Sequence, residues 1–270
     1  MKEKLRLRKP RFINFPILYG IYGWMHMTVK EYIMNKIQEG PMHMTLLDPD
    51  KQSAEDAAKI AVKCKNAGTD AFMIGGSTGI TTENLNETAI AIKEATGLPV
   101  IYFPAGPHAI STEVDAMFFM SLVNSRNVNM VIRSHAKAAA YVKKIGVETM
   151  SMAYMVCEPG MKVGEVGQAD LIKKDDIPSA VGYALACEML GMEFVYLEAG
   201  SGADEPISPE MIQAVKDAIS VPLIVGGGIS TPESAVTAKL AGADIIVTGT
   251  FVERCCDDDM LKKVIDASKN

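Results

Sequence analysis

The sequence predicts a (β/α)8 TIM barrel with its third helix replaced by an extended or irregular segment. Three observations carry that expectation. From Met42 onward eight short apolar runs alternate with helix-like stretches, the pattern of a parallel sheet wrapped by helices. The chain's 270 residues suit one such barrel, and that length buries roughly 75% of the extended surface, enough for a core without staples. Residues 104–115, between the third and fourth runs, contain Pro104, Gly106 and Pro107. They are too few for an ordinary crossover helix.

In order, the strands are expected at 42–47, 71–74, 100–103, 116–123, 148–157, 194–197, 223–225 and 245–247. Helices are expected at 53–66, 82–95, 128–144, 177–190 and 209–219, and from 252 to the end. Another opens at Thr231-Pro232, where threonine caps and proline takes the first helical position. The whole reads as one catalytic barrel at 27–270, preceded by a basic and aromatic extension at 1–26.

Composition narrows the class. Hydrophobic residues make up 48% and charged residues 22%, as in ordinary soluble globular proteins. Five cysteines form no CxxC pair and no metal-ligand spacing, which points to buried or incidental thiols in a reducing cytoplasm. Cys255-Cys256 reads as a redox-active pair or, more plainly, as a helix start beside the core. The extension carries Lys2, Lys4, Arg6, Arg8, Lys9 and Arg11 against Glu3, a local +5 in a chain of net −6, so the rest sums to −11. An acidic body argues against nucleic acid as a partner. Residues 12–25 are uncharged but interrupted by Asn14, Pro16, Gly20 and Gly23, and too few to span a bilayer, which needs about 20 residues. Three readings stand: translation starting at Met25 or Met27, attachment to a membrane surface, or a processed signal.

Barrel chemistry sits where strands end, so the residues just past each strand are the candidates. Gly226, Gly227 and Gly228 follow strand seven, and Gly249-Thr250 follows strand eight. Glycines let the backbone approach an anion, and loops seven and eight are the usual phosphate site in such barrels. The competing reading is tight turns needing positive φ. Strand six ends in Tyr196, Leu197, Glu198, Ala199, Gly200, Ser201 and Gly202. Tyr196 and Glu198, two apart, share one strand face. A carboxylate beside a phenol can hold and deprotonate a hydroxyl; otherwise Glu198 is a solvated loop charge. Ser201 adds a donor. Strand one ends in Asp48-Pro49-Asp50-Lys51. Asp48 suits Mg2+, which takes few protein oxygens and completes its shell with phosphates, and Ser77 offers a second oxygen. Asp48 suits a helix cap equally well. His26, His43, His108 and His135 form no cluster and read as structural. The 18 methionines fit plastic packing, or walls for a long hydrocarbon. Arg126, Arg133 and Lys137 suit either a second anion or a solvated helix face.

These residues resemble a known family. Residues 47–51 (Leu-Asp-Pro-Asp-Lys), Gly75-Gly76-Ser77, residues 118–124 (Phe-Phe-Met-Ser-Leu-Val-Asn), 196–202, 225–229 and 248–250 are similar to motifs of the geranylgeranylglyceryl phosphate synthases of archaeal lipid synthesis. Bacterial heptaprenylglyceryl phosphate synthases are cousins. The missing third helix is also a trait of the family, and the resemblance starts near Met27. It implies transfer of a prenyl group from geranylgeranyl diphosphate to the terminal hydroxyl of sn-glycerol 1-phosphate, with Mg2+. It assigns Asp48 and Ser77 to the metal, and residues 196–202, Gly226 to Gly228 and Gly249-Thr250 to glycerol phosphate. Glu198 becomes the base. It further implies a homo-oligomer, dimer or hexamer, with peripheral membrane contact for the prenyl substrate. Leu46 stands where the bacterial cousins carry lysine, which favours the archaeal branch. A groove lined by Tyr102 and Phe103 is expected to set prenyl length. Two rival readings are an isomerase or aldolase barrel acting on another phosphorylated metabolite, and a non-catalytic phosphate- or lipid-binding barrel.

Overall fold

Side-chain alternation along each strand divides the molecule into a lumen and an outer layer. A computed structural model describes residues 27–76 and 78–270; the readings made for residues 1–26 and for Ser77 lie outside the described residues. Eight parallel strands pair in sequence order and close on themselves. They are β1 Met42–Leu47, β2 Ala71–Ile74, β3 Val100–Tyr102, β4 Ala116–Leu122, β5 Glu148–Val156, β6 Phe194–Glu198, β7 Leu223–Gly226 and β8 Ile245–Thr248.

Met42, Met44, Met73, Met150 and Met152 fill the lumen with Phe118, Phe194 and Ile224. An unbranched thioether adapts to the irregular space between two large rings, and each such buried side chain contributes about 1.5–3 kcal/mol. The alternate residues face the helices. On one side β1–β3 pack against α2 Ala54–Ala67, α3 Thr82–Thr96 and α10 Asp258–Lys269. On the other, β5–β8 pack against α6 Ile177–Met189, α7 Pro209–Ala218 and α8 Pro232–Leu240. Thr231 caps α8 with Pro232 at its first turn, as expected.

Several elements depart from the sequence reading. Helix α1, Val29–Glu39, opens with a Thr28/Glu31 capping box. Its Val29 and Ile33 join the lumen core, while Glu148 accepts from the Val29 and Lys30 amides. It therefore floors the barrel at the end opposite the strand termini. The helix expected at 128–144 starts as a π-helical turn, Asn129–Arg133, and continues as α4 Ser134–Ile145. A short α5, Met161–Val166, follows β5. The terminal helix is broken: α9 Thr250–Arg254 ends in extended Cys255, and Asp257 caps α10. Cys255 and Cys256 thus lie in a linker rather than at a helix start. Cys64, Cys157 and Cys187 are buried as expected, and burial pushes Cys64 and Cys157 up to about 12.

No helix forms between β3 and β4. Ala109, Ile110 and Val114 of that segment pack into the outer core in a helix's place. The Tyr102 hydroxyl donates to the Ala109 carbonyl at 2.9 Å. Tyr102 therefore points away from the lumen and lines no groove. Only Phe103 of the expected pair reaches the cavity.

Candidate active site

At the carboxyl end of the barrel two cavities meet, of about 440 and 500 Å3. They share Leu46, Glu198, Ser201, Gly202, Gly249 and Thr250. Glu198 ends β6, is only 6% exposed, and is no solvated loop charge. Its Oε1 accepts the Gly200 amide at 2.7 Å and its Oε2 the Tyr154 hydroxyl at 3.1 Å. Burial raises the Glu198 pKa, while Gly200, Tyr154 and Tyr196 pull it back as donors to the charged form. Burial, then the charge of Glu198, raises both tyrosines well above ordinary values. The carboxylate is thus made basic by its surroundings and flanked by phenols that stay protonated.

The β6–β8 side is built by close backbone approach. A Cβ on Gly226 would lie 2.1 Å from the Tyr196 hydroxyl, and one on Gly227 2.5 Å from Glu198 Oε1. Gly227 and Gly228 also have φ of +83° and +72°. Gly227 and Gly228 are therefore left-handed turns, and Gly226 and Gly227 also wall the tyrosine and the carboxylate. Gly227, Gly228, Ser230 and Thr250 line the larger cavity, and the Ser201 and Thr250 hydroxyls hydrogen-bond across it. Leu197 and Ala199 point into the outer core, and the Ala199 amide is engaged by the Gly226 carbonyl at 3.1 Å. Neither brings a side chain to the cavity.

Across the mouth, Asp48 follows β1. Ser53, not Asp48, caps α2. The Asp48 Oδ1 accepts the Asp50 amide at 3.1 Å, and Lys51 Nζ lies 3.5 Å from Oδ2. Burial raises its pKa, opposed by Asp50 and Lys51 and reinforced by Glu253. The backbone of Gly76, next to Ser77, lies against it, since a Cβ there would sit 2.3 Å from Oδ1. Among the described residues no group of three or more His, Cys, Asp or Glu could hold a metal alone. One half-buried carboxylate in a cavity fits Mg2+ that completes its shell with substrate oxygens.

Three residues escaped the sequence reading. Tyr154 is brought opposite Tyr196 by the β5–β6 register. Glu253 accepts the Asp48 amide at 3.0 Å and Lys51 Nζ at 2.8 Å. Arg254 lines both cavities. An apolar annex adjoins the Asp48 side, lined by Pro104, Ala105, Met117, Met120, Met130 and His135. The His135 ring stacks edge-on against Phe119, and its Nε2 meets the Met120 carbonyl. His43 is buried between Thr69 and Thr248 at 2.8 and 2.9 Å, and burial pushes it down to about 3, a structural, uncharged histidine. Arg126, Arg133 and Lys137 are exposed and line neither cavity, a solvated face. Among the described residues no helix is long and apolar enough to cross a membrane.

Comparison with known proteins places the chain. Residues 34–268 match the PcrB family. The geranylgeranylglyceryl phosphate synthase of Picrophilus torridus is 47% identical over 84% of this chain and 94% of its own length. That of Thermococcus gammatolerans is 50% identical over 88% and 94%. A crystal structure of (S)-3-O-geranylgeranylglyceryl phosphate synthase from Thermoplasma acidophilum, in complex with its substrate sn-glycerol-1-phosphate, superposes with a TM-score of 0.87. It is 44% identical and covers 90% of this chain and 99% of its own. The chain belongs to the PcrB family, beside these archaeal synthases.

Proposed function

We propose that this protein is a Mg2+-dependent prenyltransferase that joins a geranylgeranyl group to the C3 hydroxyl of sn-glycerol 1-phosphate, forming the first ether bond of archaeal membrane lipids. One observation carries this reading. Glu198 stands where a glycine-lined cavity meets a second cavity holding Asp48 and opening onto an apolar annex. A small phosphorylated alcohol fits the first, and a diphosphate with a hydrocarbon tail fits the second.

Glycerol phosphate is held through Gly227, Gly228, Ser201 and Thr250, with its C3 hydroxyl toward Glu198. The hydroxyl oxygen bonds to the allylic carbon, the carbon–oxygen bond to diphosphate breaks, and diphosphate leaves with that electron pair. Glu198 receives the hydroxyl proton, and Tyr154 and the Gly200 amide hold its oxygens in place. Burial makes this carboxylate a better proton acceptor than a solvated one. Asp48 and Ser77 would hold Mg2+, which when bound would supply positive charge toward the diphosphate leaving group. Phe103, Met120 and Met130 supply an apolar wall that suits the tail and excludes water.

The test is direct. The protein is incubated with Mg2+, labelled sn-glycerol 1-phosphate and geranylgeranyl diphosphate, and the product is extracted into organic solvent. Label in the organic phase is expected. Its absence across a series of prenyl chain lengths would overturn the proposal.

A further inference from the structure

The two sides of the mouth are tied together by a single carboxylate. Glu253 lies on α9, about 200 positions along the chain from the β1 loop. Both of its oxygens are spent on that loop: Oε1 accepts the Asp48 amide at 3.0 Å, and Oε2 accepts Lys51 Nζ at 2.8 Å. Its side chain is only 9% exposed. At the other end of the same five-residue helix, Thr250 hydrogen-bonds Ser201 across the glycine-lined cavity. Asp48, Lys51, Glu253 and Thr250 all line one cavity.

A tie made only for stability would be better built from apolar groups, because desolvating a charged pair offsets most of its attraction. Here the pair lines the cavity, with Lys51 half-exposed and within reach of both carboxylates. Asp48, Lys51 and Glu253 form one ionic cluster on the cavity wall. The arrangement also makes the position of the Asp48 backbone depend on α9, hence on the loop carrying Thr250.

Resting on the prenyl-transfer reading, we infer that Glu253 is a positioning residue that couples the glycerol phosphate side to the Asp48 side. Through it, occupation of one side tightens the other. Coupling of this kind is reciprocal, so it appears in binding without turnover.

The experiment titrates sn-glycerol 1-phosphate calorimetrically, first into protein alone and then into protein with Mg2+ and inorganic diphosphate. In the wild type the second affinity should exceed the first by about fivefold or more. In Glu253→Gln the affinity without diphosphate should stay within about twofold, while the ratio of the two falls toward one. Lys51→Met should lose the ratio in the same way, and Glu253→Asp should recover part of it. A wild-type ratio near one, or an unchanged ratio in both Glu253→Gln and Lys51→Met, overturns the coupling. So does a uniform loss of affinity accompanied by a lower melting temperature, the mark of a merely structural tie. Failure of the wild type to bind glycerol phosphate under any condition overturns the prenyl-transfer reading itself.

Discussion

The two halves of the barrel mouth are built by different means. On the β6–β8 half, backbone holds the chemistry: Gly226 and Gly227 leave no room for a methyl beside Tyr196 and Glu198. On the β1–β4 half, charges and apolar surface do so, through Asp48, Lys51, Glu253 reaching across from α9, and a helix-free segment at 103–115. The first half is rigid by exclusion and has one good arrangement. The second is held by side-chain contacts instead. On the prenyl-transfer reading, the first would serve as a fixed site for a small polar acceptor and the second as an adaptable one for a long hydrocarbon.

The largest effect should come from the centre of the rigid half. Glu198→Gln should lower kcat by about 10²–10⁴, the usual range for a general base. Its sign in stability is the reverse. Burial raises the folded-state pKa of Glu198, so the wild type carries an ionisation penalty above the ordinary carboxylate range and none below it. The variant should be at least as stable near neutrality, with the difference shrinking as pH falls. In a pH–rate profile, the acid limb of kcat/KM should lie above the ordinary carboxylate range. Tyr154→Phe removes a donor that lowers the Glu198 pKa, so that limb should move to higher pH. An unmoved limb would remove Tyr154 from the site.

Gly227→Ala comes next and is best read against Gly97→Ala. Both positions are left-handed, at φ +83° and +68°, and each costs an alanine about 1–2 kcal/mol. At Gly97 a Cβ meets nothing within 4 Å. At Gly227 it meets Glu198 Oε1 at 2.5 Å, and displacing a reacting group by about 1 Å can cost 10²-fold. The Gly227 methyl also meets the Gly200 and Ala199 backbone nitrogens at 2.6 and 2.9 Å, so its melting-temperature loss should be the larger, and a kcat loss at Gly227 with none at Gly97 would tie the wall to function. Equal kcat values would show that the wall is not needed.

This contrast also explains what was legible in the sequence. The rigid half was legible because its reasons are local: glycine runs, a carboxylate at a strand end, and period-two spacing of Tyr196 and Glu198. The missing third helix followed from a count of residues. What escaped depends on register and phase. The run at 100–103 is apolar throughout, so nothing in it says that Ile101 faces in and Tyr102 out. Tyr154 meets Tyr196 only through strand pairing. Glu253 was hidden in a stretch read as one terminal helix, whose break at Cys255 frees α9 to lie over β1. The capping box of α1, Thr28 with Glu31, is legible in the sequence, but it precedes the first strand and lies outside the strand–helix alternation.

On the adaptable half, Ala105 borders both the Asp48 cavity and the apolar annex. Ala105→Trp should fill the passage between them. Each buried methylene contributes about 0.8 kcal/mol, so displacing two carbons of the tail should cost roughly tenfold in kcat/KM for a long donor. Shorter donors should lose less. Competition assays between donors of different length would read the shift, and an equal loss for all would mean the tail runs elsewhere.

The smallest effect should come from an ion pair on the rigid half. Lys174 pairs with Glu205 at the rim, with side chains 51% and 69% exposed, and the Glu205 backbone lies against Gly228. If that half is held by backbone exclusion, the pair is incidental. Lys174→Ala should then change stability by less than about 0.5 kcal/mol, as exposed pairs usually do, and leave kcat and KM within about twofold. Glu253 offers the opposite case, a pair of similar chemistry whose carboxylate is only 9% exposed and is bonded to the Asp48 backbone. A Lys174→Ala variant as impaired as Glu253→Gln would mean that charge, not glycine, holds the glycerol phosphate loop, and the distinction between the two halves would fall.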